Sequence, residues 1–145
     1  MNLKDELLIS DTLLTSGQPT REQFSEVFAA GWQVVINLAM PDSIGAFPDE
    51  GDVVRGLGME YIAIPVVWSA PTRHELEMFF AALDANRGKK VLAHCALNMR
   101  VSTFVFLDRV LRQGMEIETA REDLLSIWQP EGVWQEFIDE MLRSG

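Results

Sequence analysis

The sequence predicts an α/β fold, a three-layer sandwich whose mostly parallel central sheet of four or five strands carries helices on both faces. Three observations predict it. Short β-branched runs alternate with amphipathic helical segments in β-α-β order, the pattern of parallel strands joined by crossover helices. Capping boxes and glycines punctuate those helices at both ends. A chain of 145 residues with 48% apolar and 23% charged side chains has the size and mixture of one globular domain, read as residues 1–145.

Each element follows from local signals. Leu8-Ile9 and Leu13-Leu14 suggest an edge strand or hairpin. Thr20-Arg21-Glu22-Gln23 fits a capping box, with Phe24, Val27 and Phe28 at helical spacing until Gly31. Gln33 to Leu38 reads as a buried strand, and residues 39–48, with Pro41, Gly45 and Pro48, as a loop. A short helix over about 49–56 ends at Gly56 or Gly58, and Met59 to Ile64 is a strand stopped by Pro65. Thr72 to Glu75 opens another helix, with an apolar stripe of Leu76, Phe79, Phe80 and Leu83 and its end at Gly88. Lys90 to His94 is a further strand. A buried helix follows over Val101 to Leu111, closed by Gly114, and two short helices, about 116–127 and 131–143, complete the chain.

Composition excludes several function classes. A net charge of −10 and a pI near 4.5 repel nucleic acid and anionic membranes, so neither is an expected partner. The single cysteine rules out an internal disulfide and a cysteine-cluster zinc site, and two histidines make a histidine-rich metal centre hard to build, so no metal and no cofactor are expected. The first residues, Met1 to Glu6, lack the apolar core of a secretory leader, and no apolar run reaches membrane-spanning length, which makes a cytoplasmic location the expectation.

In parallel α/β sheets, ligands sit where strands end and helices begin. One such junction, His94-Cys95-Ala96-Leu97-Asn98-Met99-Arg100-Val101-Ser102, places a thiol after a buried strand and an arginine before a buried helix. Successive amides of residues 96–100 in the turn can form an anion-binding nest at the positive end of the helix. The same field favours thiolate over thiol at Cys95, and the planar fork of Arg100 suits two oxygens of an oxyanion such as phosphate or sulfate.

These residues resemble the signature loop of cysteine-dependent protein tyrosine and dual-specificity phosphatases. Ser16-Gly17-Gln18-Pro19, Val34 to Leu38, Tyr61 to Pro65, Pro71-Thr72 and the His94–Ser102 loop together resemble a bacterial branch of atypical members, first catalogued as domain of unknown function 442. The resemblance covers most of residues 12–112. It implies a cysteine-phosphatase-like fold, Cys95 as nucleophile, Arg100 as phosphate clamp, Ser102 as the hydroxyl that helps the thiol leave, and His94 as the residue that orients the loop. Residues 96–100 would hold the phosphate. The family's spacing has five residues between cysteine and arginine where this chain has four, and Asn98 stands where glycine is common. Asparagine accepts left-handed backbone better than most residues, so the turn can form.

The family's general acid, an aspartate on the loop after the preceding strand, has no counterpart in Val66 to Ala70. Asp42, Asp49 and Glu50, on another loop of the same expected rim, are the substitutes. Trp68 should overhang the nest, as a substrate wall or as cover for the core. Trp128 and Trp134 pack the last helices onto the domain unless exposed, in which case they would mark a homodimer surface.

The leading expectation is a cysteine-dependent phosphatase that hydrolyses a phosphomonoester, on a small molecule or a phosphorylated protein, through a thiophosphate intermediate. Two alternatives stand beside it. A degenerate module would bind phosphate or a phosphoprotein without turnover, as the missing acid suggests. A rhodanese-like sulfurtransferase would suit the shorter loop.

Overall fold

In a computed structural model, which describes residues 1–145, the chain forms a five-stranded sheet flanked by six helices. The strands are β1 (Leu7–Ser10), β2 (Leu13–Ser16), β3 (Val34–Asn37), β4 (Glu60–Ala63) and β5 (Val91–His94), in spatial order β1-β2-β5-β3-β4. Only β1 runs antiparallel to its neighbour, as the first arm of a hairpin with β2; the other pairings are parallel. The helices are α1 (Arg21–Ala29), α2 (Glu50–Leu57), α3 (Arg73–Ala85), α4 (Met99–Leu111), α5 (Ile117–Ile127) and α6 (Val133–Ser144). No helix is long and apolar enough to cross a membrane.

The two-residue period of the strands builds two cores. Val34, Ile36, Val91 and Ala93 face a larger core with α3, α4, α5 and α6, while Val35 and Leu92 face a smaller one with Phe24, Val27 and Val54. Burial on both faces is why β3 and β5 read as continuous apolar runs rather than alternating ones. The Thr20 capping box forms as expected, its hydroxyl accepting from the Gln23 amide and the Gln23 side chain accepting from the Thr20 amide.

Two boundaries differ from expectation. α3 ends at Ala85, three residues before Gly88, because the Asn86 side chain donates to the Ala82 carbonyl and caps the last turn. α4 begins at Met99 rather than Val101, since Asn98 adopts left-handed backbone (φ 65°) and turns the chain into the helix early. The register aligns Ser16 of β2, His94 of β5 and Asn37 of β3, so three strands end level at the edge where the candidate residues emerge.

Candidate functional site

The loop between β5 and α4 contains only Cys95, Ala96, Leu97 and Asn98. It is clamped from the side by the segment leaving β2. The Cys95 amide donates to the Ser16 carbonyl at 3.3 Å, and the Gln18 amide to the Ala96 carbonyl at 3.0 Å. Gly17 allows that contact, because a Cβ there would lie 2.6 Å from the Ala96 oxygen. Below, the Asn98 side chain donates to the Asp5 carbonyl and to the Thr15 hydroxyl, at 2.8 and 3.0 Å. With these ties made, the amides of Ala96, Leu97, Met99 and Arg100 donate to nothing within the protein. They are the free donors of a helix start.

Arg100 falls in the first turn of α4, which is how the shortened spacer brings it beside the cysteine. It is 7% exposed, yet it joins none of the protein's ion pairs. Its Nε donates to the Val66 carbonyl at 2.9 Å, its guanidinium lies 5.4 Å from the Trp68 ring centre, and both Nη atoms lack a protein acceptor. A buried cation without an anion is costly to hold unless a ligand supplies the charge. Cys95, fully buried, and Arg100 line one cleft of about 500 Å³, walled by Met40, Ile44, Val67, Trp68 and Leu97.

The remaining candidates separate. Asp42 lines this cleft from its exposed rim. Asp49 does not: Arg21 binds both its oxygens at 2.8 Å, and that hydrogen bonding holds the carboxyl below the usual carboxylate range. Glu50 does not either. It is buried behind the loop, its Oε2 2.7 Å from His94 Nε2 and its Oε1 accepting from Gln18 at 2.7 Å. Burial alone would raise the Glu50 carboxyl, but the hydrogen bond and charge of His94 outweigh it and leave the carboxyl lowered. The expectation that all three carboxylates share the site's rim is thus corrected to Asp42 alone.

Ser102 hydrogen-bonds within its own helix, to the Met99 carbonyl at 3.1 Å, and Asn98 acts through the backbone turn; neither lines the cleft. Gln18, Asn37 and Tyr61 form a polar shell around Glu50 to which sequence reasoning gave no role; Asn37 donates to the Tyr61 hydroxyl at 3.0 Å, and burial pushes that phenol up to about 12. Trp68 is 42% exposed and lines the cleft, braced from behind by Trp128 and Trp134 at ring distances of 5.4 and 5.3 Å. The Trp134 indole also donates to the Trp68 carbonyl. These tryptophans pack the C-terminal helices onto the domain, the first of the two alternatives.

Known proteins share this fold. The chain is 36% identical to a candidate phosphatase of the DUF442 family from Shewanella putrefaciens CN-32, with a TM-score of 0.86 over 98% of this chain and 93% of that one. The chain belongs to that family. No protein-family model matches it. A beta-lactamase hydrolase-like protein of Xylella fastidiosa is 29% identical over 114 residues, 74% of this chain and 26% of that protein. The DUF442 chain therefore spans about a quarter of the length of the curated relatives it matches. The core catalytic domain of a PP-IP phosphatase from S. cerevisiae, in complex with citrate, shares the fold at 15% identity and a TM-score of 0.77, over 96% and 86% of the two chains.

Proposed function

We propose that this DUF442 protein is a cysteine-dependent phosphatase acting on phosphomonoesters. The observation that carries the reading is Arg100, a buried guanidinium with two free nitrogens and no carboxylate, next to the cysteine in one cleft. The phosphoryl oxygens would bind the Arg100 fork and the free amides of residues 96, 97, 99 and 100. The Cys95 thiolate attacks phosphorus, an S–P bond forms and the ester P–O bond breaks. Asp42 protonates the departing oxygen and then takes a proton from the water that hydrolyses the thiophosphate, releasing inorganic phosphate. His94 lies behind the cysteine as an orienting group. Because the cleft walls are apolar and Arg100 is its only cation, the reading favours one phosphate on an apolar body over polyphosphorylated substrates.

The test is hydrolysis of p-nitrophenyl phosphate by wild type and Cys95→Ser. Vanadate-sensitive turnover that disappears in the variant is expected, and no turnover in wild type overturns the reading. The four-residue spacer favours a second one, sulfur transfer. There the Cys95 thiolate would take the outer sulfur of thiosulfate as a persulfide and release sulfite. Thiocyanate formed from thiosulfate and cyanide, dependent on Cys95 and without phosphatase turnover, would select it.

A further inference from the structure

His94 ends β5 with no exposure to solvent, and each of its ring nitrogens faces an oxygen. Nδ1 lies 3.2 Å from the Cys95 carbonyl and Nε2 lies 2.7 Å from Glu50 Oε2. A carbonyl oxygen and an ionised carboxylate only accept hydrogen bonds, so both nitrogens must carry a proton to make both contacts. A neutral imidazole would leave one of these buried pairs as two facing acceptors. The surroundings keep Glu50 ionised: Gln18 donates to its second oxygen, and it occupies the first position of α2, where the helix dipole favours an anion. Its lowered carboxyl agrees with that geometry.

We propose that Glu50 is a positioning residue that holds His94 as an imidazolium directly behind the nucleophile. The His94 ring meets the cysteine loop at the Cys95 carbonyl, while Arg100 lines the same cleft as Cys95. The other groups around the pair do not compete for the charge. Tyr61 stays a neutral phenol, held by Asn37, with Arg55 stacked 5.5 Å over its ring. An uncharged ring, Phe24, packs against His94 at 5.9 Å between ring centres. Gln18 links the pair to the loop, since its side chain holds Glu50 while its amide holds the Ala96 carbonyl. Reactivity at Cys95 near neutral pH thus depends on a residue outside the cleft.

The inference rests on reading Cys95 as a nucleophile, but its test needs no substrate turnover. Cys95 is the only cysteine, so alkylation by iodoacetamide is read directly as a mass increment on the intact protein. Glu50→Gln preserves shape and an acceptor oxygen while removing the charge. It should slow alkylation about tenfold at pH 6.5 and no more than about twofold at pH 9.5. Slowing by the same factor at both values, or no slowing, overturns the proposal. Nitrogen-15 NMR of the wild type at pH 7.5 adds a measurement that needs no variant. Two protonated ring nitrogens on His94 are expected, with His74 as the exposed internal standard, and a neutral tautomer overturns the proposal. A protein that alkylates as expected yet hydrolyses no phosphomonoester would refute the phosphatase reading and leave this one standing.

Discussion

Two cavities of similar size open at opposite ends of the sheet, and their arginines behave differently. The cavity at the start of β5, about 600 Å³, contains Arg112, Asp84 and Asp108. There Arg112 binds Asp84 through both Nη atoms and Asp108 through Nε, at 2.8 to 2.9 Å. The first of these hydrogen bonds, from Arg112, pulls the Asp84 carboxyl below its usual range. At the other end, Arg100 is more buried and has no carboxylate at all. Arg112 is thus matched by carboxylates of its own cavity, whereas Arg100 has no protein anion.

That contrast can be broken most directly through activity. Arg100→Ala should lower kcat/KM for p-nitrophenyl phosphate by about 10²–10³-fold, as for loss of a donor to the transition state. Arg112→Ala, assayed in parallel, should stay within about twofold of wild type. Equal losses in the two variants would erase the distinction. Next in size, Asp42→Asn should cost about 10²-fold on alkyl phosphates, whose leaving oxygen needs a proton, and much less on p-nitrophenyl phosphate. Comparable losses on both substrates would remove Asp42 from the acid role.

Stability should invert the order. Arg112→Met leaves the buried Asp108 carboxylate with only Gln113 as a partner and should cost about 2 kcal/mol in urea unfolding. Arg100→Met removes an uncompensated charge and should be neutral or stabilising by about 1 kcal/mol. A smaller effect concerns acid. Because folding lowers the Glu50 carboxyl from its ordinary value of 4.5, its contribution is fully present above that pH. It is lost as pH falls through the lowered folded value. The unfolding free-energy difference between wild type and Glu50→Gln should therefore shrink as the pH is lowered below the carboxyl's ordinary value of 4.5.

Much of this was legible because it is local. Capping residues, β-branched runs and glycines placed the elements, and the short stretch from His94 to Ser102 carried the thiol and the arginine together. What was not legible depends on pairings across the chain. Nothing near Asp49 signals that Arg21 claims it, and Glu50 meets His94 only once α2 packs beside the end of β5. Loop chemistry put Asp42, Asp49 and Glu50 on one rim; tertiary packing divided them among a cleft, a surface ion pair and a buried one. The early start of α4 follows from the left-handed conformation of Asn98, which the residue type permits but does not dictate.

The bracing of Trp68 has an optical consequence. Trp68, Trp128 and Trp134 stand within 6.2 Å of one another, ring centre to ring centre, close enough to exchange excitation energy before emitting. Only Trp68 of the three lines the cleft, so an oxyanion bound at Arg100 would change the surroundings of one member and, through it, the emission of all. The fourth tryptophan, Trp32, lies apart under Lys90 in the smaller core and supplies a constant background. Under the proposed function, occupancy of the cleft would then be readable by fluorescence titration without any label.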